Sequence, residues 1–137
     1  MGLIVSYLVA MEPAYACTCM APATAAEALQ KSSAVFRGRV VKIYRSFLDR
    51  VGITSTAGHR VQFEITKQWK GARSKSTVVI TRLTGEACGF PFEEKEEYLV
   101  YVVTEPKDIQ TGICTGTKDI AEAEKEKNEL DKLLKGR

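Results

Sequence analysis

Cys17 and Cys19 stand one residue apart in AYACTCMAP (14–22), and with Cys88 and Cys114 they are all the cysteines of a 137-residue chain. Such a pair can clip a soft metal, carry a lipid, work as a redox couple or anchor two separate disulfides. The residues before it narrow the choice. MGLIVSYLVAMEPAYA (1–16) has an apolar run over 2–11, then Pro13, then small residues at 14 and 16. This is the layout of a secretory signal peptide with an A-x-A cleavage site, although no Lys or Arg precedes the run. Residues 1–16 are therefore expected to be removed, leaving a secreted domain over 17–137 that begins with Cys17. A run this short does not span a bilayer as a helix, so no stable membrane insertion is expected.

Four cysteines are an even set, which in an exported chain favours two disulfides over free thiols. A bridge from Cys17 to Cys19 would close an unusually tight ring, so each is expected to reach a distant cysteine, Cys88 or Cys114. Spacing leaves both pairings open. Closing loops of this size is worth roughly 4 kcal/mol each in the loop-entropy model. Lipidation of Cys17 would consume one thiol and leave an odd number, and Ala14 and bulky Tyr15 suit a lipoprotein box poorly.

Other chemistry is thinly supplied. His59 is the sole histidine, too few for a side-chain zinc site or a histidine-based triad. Glu93, Glu94, Glu96 and Glu97 could pair carboxylates, but a cluster before a strand reads as a solvated turn. Gly85 and Gly89 flank Cys88 in a turn and form no phosphate loop. Arg37, Arg39, Lys42, Lys67, Lys70 and Arg73 could make a basic face, yet no aromatic platform is interleaved with them, so nucleic acid is not the expected partner. Trp69 ends a strand and is expected to pack in the core or at a barrel rim. Neither an enzyme nor a cofactor is expected.

The elements that must hold the cysteines follow from composition and pattern. At 45% apolar and 27% charged, with a net charge of +3, the chain reads as one folded domain with no strong pull toward a polyanion. Thr24 followed by Glu27 predicts a capped helix over 22–33. Strands are predicted over 34–44, with Gly38 as a bend, and over 59–69, where Val61, Phe63 and Ile65 alternate with polar residues. Further strands are predicted over 76–83 and 97–104, with 109–116 a short strand or extended tie. Residues 45–58 read as a long hairpin loop and 84–92 as a constrained loop. The tail from Thr117 reads as one amphipathic helix through Ile120, Ala123, Lys127, Leu130 and Leu134, its charged face left to solvent. Helix, about five strands and helix, without βαβ alternation, predict a mainly β, antiparallel Greek-key barrel with two helices packed on it.

CTCMAP at the mature N-terminus, VQFEITKQWKG, EACGF and the late GIC together resemble the N-terminal inhibitory domain of the tissue inhibitors of metalloproteinases. More broadly they resemble the netrin-like module, a five-stranded OB-fold barrel, in a compact bacterial-type form. The likeness spans residues 17–137. It implies the disulfides Cys17–Cys88 and Cys19–Cys114; the animal inhibitors have a third in this domain, for which four cysteines leave no thiols. It also implies a secreted inhibitor, monomeric and extracellular, whose partner is an extracellular zinc metalloprotease.

In that family the α-amine and carbonyl of the first mature residue chelate the protease's catalytic zinc, a role that falls here on the backbone of Cys17. An α-amine titrates near pH 8, so it sheds its proton on binding. Thr18 would enter the specificity pocket, Cys19, Met20 and Ala21 would extend the contact ridge, and Ala87 and Cys88 would lie alongside. Netrin-like modules also occur in proteins that inhibit no protease. A non-inhibitory extracellular binding module is thus the alternative.

Overall fold

The computed structural model describes residues 21–45, 58–81, 89–105 and 108–135, with Gly2 and Val51. Helix α1 (Ala25–Lys31) starts where the Thr24 hydroxyl accepts the Glu27 N–H at 3.1 Å. The Glu27 carboxylate accepts the Ala23 N–H at 3.2 Å, one residue earlier than in the usual reciprocal box. At the other end the Lys70 ammonium donates to the Leu29 and Gln30 carbonyls, covering groups a helix C-terminus leaves bare.

Five strands close a barrel: β1 (Ala34–Tyr44), β2 (His59–Lys70), β3 (Ser76–Thr81), β4 (Glu97–Glu105) and β5 (Asp108–Thr111). They pair in the cycle β1–β2–β3–β5–β4–β1, antiparallel throughout except for β3 with β5. The expected mainly β, OB-like barrel with a short N-terminal and a C-terminal helix is present. The expected strand end at 82–83, most of the 45–58 loop and residues 84–88 lie outside the described residues.

Period two on β4 sends Tyr98, Val100 and Val102 into the barrel and Leu99 and Tyr101 outward to the helices, so both faces are buried. That is why this strand is the most apolar. Phe36, Val40, Val61, Phe63, Val79 and Phe92 complete the interior. Gly38 faces inward among them, and a Cβ there would stand 2.9 Å from the Phe36 ring and 3.2 Å from the Phe63 Cβ. The β1–β2 register shifts between Arg37 and Gly38, so the expected bend is real and serves ring packing.

A second core lies outside the barrel wall. Val35, Trp69, Leu99 and Tyr101 pack against Ala25, Ala28 and Leu29 of α1 and against Ala123 and Leu130. Leu130 belongs to α2 (Glu124–Lys135), which starts later than the predicted tail helix. Lys118 and Asp119 instead form β6, paired with Leu99 and Tyr98 of β4. The Asp119 carboxylate then accepts the Ala121 N–H at 3.1 Å and starts a single 3-10 turn (Ile120–Glu122). Helical spacing could not reveal a strand whose partners, Leu99 and Tyr98, lie so far upstream.

The charged face of α2 also departs from plain solvent exposure. Asp131 accepts the Trp69 indole N–H at 2.8 Å and pairs with Lys67, while Glu126 pairs with Lys118 at 2.6 Å. These contacts dock the helix on the barrel. Glu97, expected in a solvated turn, receives Arg37 at 2.7 Å and Arg39 at 3.0 Å. The hydrogen bond from Arg37, more than that from Arg39, holds its carboxyl below the ordinary value of 4.5 despite partial burial. A carboxylate lowered on folding contributes stability that is present above its unfolded pKa and is lost as pH falls through its folded one. Acid titration of stability should therefore be shallower below about pH 4.5 in Glu97→Gln than in the parent, and identical curves would deny the pair this role.

Candidate functional site

Of the residues expected on the contact ridge, Cys17, Thr18, Cys19, Met20, Ala87 and Cys88 lie outside the described residues, as do residues 1–16, the expected leader, apart from Gly2. Ala21, which is exposed, and Cys114 are described. What can be built from the residues upward is the frame from which those segments leave.

β3 and β5 are parallel, with Ile80 opposite Gln110 and Thr81 opposite Thr111. Two parallel neighbours end at the same end of a barrel. The 82–88 segment, which carries Ala87 and Cys88, and the turn that carries Cys114 therefore start side by side. The return of the first is fixed as well. The Thr81 hydroxyl accepts the Phe90 N–H at 2.7 Å, so one side chain closes the neck between residues 81 and 90. Phe90 then packs on Phe92 at 4.7 Å and on Tyr98 at 5.5 Å between centroids. The Tyr98 hydroxyl accepts the Glu93 N–H at 2.9 Å, and the Glu94 carboxylate accepts that of Ile43 at 3.2 Å. The acidic cluster is thus partly a set of anchors for this stretch.

The Cys114 turn is held by buried hydroxyls. Thr111 donates to the Tyr101 carbonyl at 2.8 Å, and Thr115 to the Gly112 carbonyl at 2.8 Å. Thr117 accepts the Tyr101 N–H at 3.0 Å and meets the Thr111 oxygen at 2.6 Å. Each hydroxyl has one proton, and with that of Thr111 spent on the carbonyl, Thr117 is the donor in this last bond. The 3-10 turn Ile113–Thr115 thereby sits on a satisfied polar base, and Gly116 closes it at φ +96°.

Pro22 reaches the same place. Its Cδ lies 3.8 Å from where a Gly116 Cβ would stand, and the Tyr101 ring lies 3.5 Å from that point. Burial, reinforced by the nearby Glu126 carboxylate, raises the Tyr101 phenol well above its ordinary value of 10.0, so a neutral ring supports the turn. Cys114 is disulfide-bonded, and the other three cysteines lie outside the described residues.

Sequence reading missed two parts of this frame. Ile113 is 48% exposed beside Cys114 and offers an apolar contact at the turn's tip. The hydroxyl cluster was the other; its signal was three threonines crowded into TGICTGT (111–117). Conversely, most of the basic residues weighed as a face have partners within the fold. Arg37 and Arg39 bind Glu97, Lys67 binds Asp131, Lys70 caps α1, and Lys42 lies over the Tyr44 ring. Trp69 is buried, as expected.

Among the described residues no group of three His, Cys, Asp or Glu is arranged to hold a metal ion, and no helix is long and apolar enough to cross a membrane. No protein-family model matches the chain, and no curated protein matches it either.

Proposed function

We propose that the chain is a netrin-like inhibitor of extracellular zinc metalloproteases, secreted after removal of residues 1–16, whose mature N-terminus is its warhead. The observation that carries this reading is the convergence at one barrel end. Thr81, after which the 82–88 segment begins, lies there opposite Thr111, and the Cys114 turn has Pro22 beside it at Gly116. Disulfides Cys17–Cys88 and Cys19–Cys114 would tie the N-terminal residues to two supports that start on adjacent strands.

A catalytic zinc keeps one coordination position for water or substrate. The deprotonated α-amine of Cys17 and its carbonyl oxygen close a five-membered chelate ring on that zinc and displace the water. Thr18 points into the specificity pocket, and Cys19, Met20 and Ala21 continue the ridge, with Ala87 and Cys88 alongside. With both proposed disulfides formed, the backbone would be held before binding, leaving little ordering cost to offset.

The experiment compares the processed protein with one bearing a single extra N-terminal alanine, against a panel of zinc proteases. The extra residue abolishes the free amine of Cys17 and should weaken inhibition at least about a hundredfold, roughly 2.7 kcal/mol. Equal inhibition by both, or inhibition by neither, would reject the chelation mechanism. Pull-downs indifferent to the added alanine would favour the non-inhibitory binding module.

A further inference from the structure

Lys127 follows the buried Ala123 by four residues and precedes the buried Leu130 by three, so a cation shares their inward stripe. Its side chain is only 15% exposed. The carboxylate paired with it, Glu124 at 2.9 Å, is itself 72% exposed, where solvent screens the pair. A cation drawn in this far ordinarily meets a better-sheltered counter-charge. Lys127 lines a cleft of about 290 Å³ between α2 and the outer face of β1, β2 and β4. Among the described residues that line it, the cations Arg37, Lys67 and Lys127 outnumber the carboxylates Glu97 and Asp131. Glu97 is also shared with Arg39 at 3.0 Å, so two guanidinium groups draw on one carboxylate. Arg37 spends only its Nε there, at 2.7 Å, and among the described residues its two terminal nitrogens make no hydrogen bond.

We propose that this cleft binds a tetrahedral oxyanion, a sulfate or phosphate group, either free or as a monoester. The donor set argues for that shape. A guanidinium fork serves two oxygens of one anion, and an ammonium serves a further oxygen as a point charge. A carboxylate has only two oxygens and would leave either Arg37 or Lys127 without its share. Asn128, on the same cleft, adds an amide donor. The surplus of positive charge supplies the attraction, and the walls of α2 and the barrel keep part of it from being screened. Trp69, the chain's only tryptophan, lines the cleft with its indole N–H held by Asp131 at 2.8 Å, and so reports on what enters. No residue of the expected contact ridge takes part, and the proposal is independent of protease inhibition.

The test titrates sodium sulfate, sodium phosphate and the monoester glucose 6-phosphate into the ¹⁵N-labelled protein, with sodium chloride at matched ionic strength as reference. The single indole N–H resonance and the Asn128 side-chain amide should shift saturably with sulfate or phosphate and stay put with chloride. Lys127→Met should weaken binding about tenfold, and so should Arg37→Lys, which keeps the charge but removes the fork. Unmoved resonances of Phe63 and Val79 in each variant would show that the barrel is intact. A monoester bound as tightly as free phosphate would assign the group to a larger molecule, and one that is excluded would assign the site to the free ion. Shifts that chloride reproduces would mean general screening and overturn the proposal. Silence from all three oxyanions does the same, as does undiminished binding by Lys127→Met.

Discussion

Phe63→Ala is expected to lower the unfolding free energy by about 3–5 kcal/mol. Phe63 is fully buried and central to the barrel interior, with Phe36 at 5.4 Å and Phe92 at 5.2 Å between centroids, both edge-to-face. Truncation removes its buried area and both ring contacts. The cavity cannot collapse easily. The hydrogen-bonded cycle of strands fixes the barrel's girth, and Gly38, which would have to move inward, is held by the β1–β2 register. Urea unfolding should show a lower midpoint with an unchanged slope. A loss under about 1 kcal/mol would mean that the interior repacks freely, contrary to this account.

Leu130→Ala should cost about 2–5 kcal/mol, through the other core. Leu130 is the fully buried residue of α2 and packs among Ala25, Ala28, Leu29, Trp69 and Tyr101. Its polar neighbours cannot replace it: Asp131 is exposed enough to be screened, so its pairing with Lys67 and Trp69 orients the helix more than it stabilises it. The two substitutions differ in where the damage is felt. Hydrogen exchange should quicken in α1 and α2 for Leu130→Ala while the amides of β2 bonded to β1 and β3 keep their protection. Uniform acceleration across both layers would show one cooperative core. α1 begins at Ala25, three residues after Pro22, so the same variant also tests whether the helical layer steadies the chain's approach to the Cys114 turn.

Local pattern carried much of the fold. Alternation around Val61 and Phe63, the Thr24–Glu27 cap and the glycine at 38 are written in neighbouring residues, and β1, β2 and α1 fall where those signals put them. Closure was not local. Ala34 pairs with Val102 and Ile80 with Gln110, and nothing near either residue names its partner. β6 was hidden because Ile120 and Ala123 keep helical spacing with Leu130, while Asp119 begins a 3-10 turn and the helix starts only at Glu124. At the candidate site the cysteines advertise themselves by type. Their supports, the Thr81 hydroxyl, the threonine cluster and Ile113, are ordinary residues whose roles arise only from which strand ends meet.

The neck that Thr81 closes has a consequence for engineering and for descent alike. Because one hydroxyl and one amide join the chain across residues 81 and 90, the stretch between them is a cassette with a fixed socket. Its other residues are open to exchange provided that Thr81, the Phe90–Tyr98 stack and Cys88, the proposed partner of Cys17, are kept. New specificity could be written there at little structural risk.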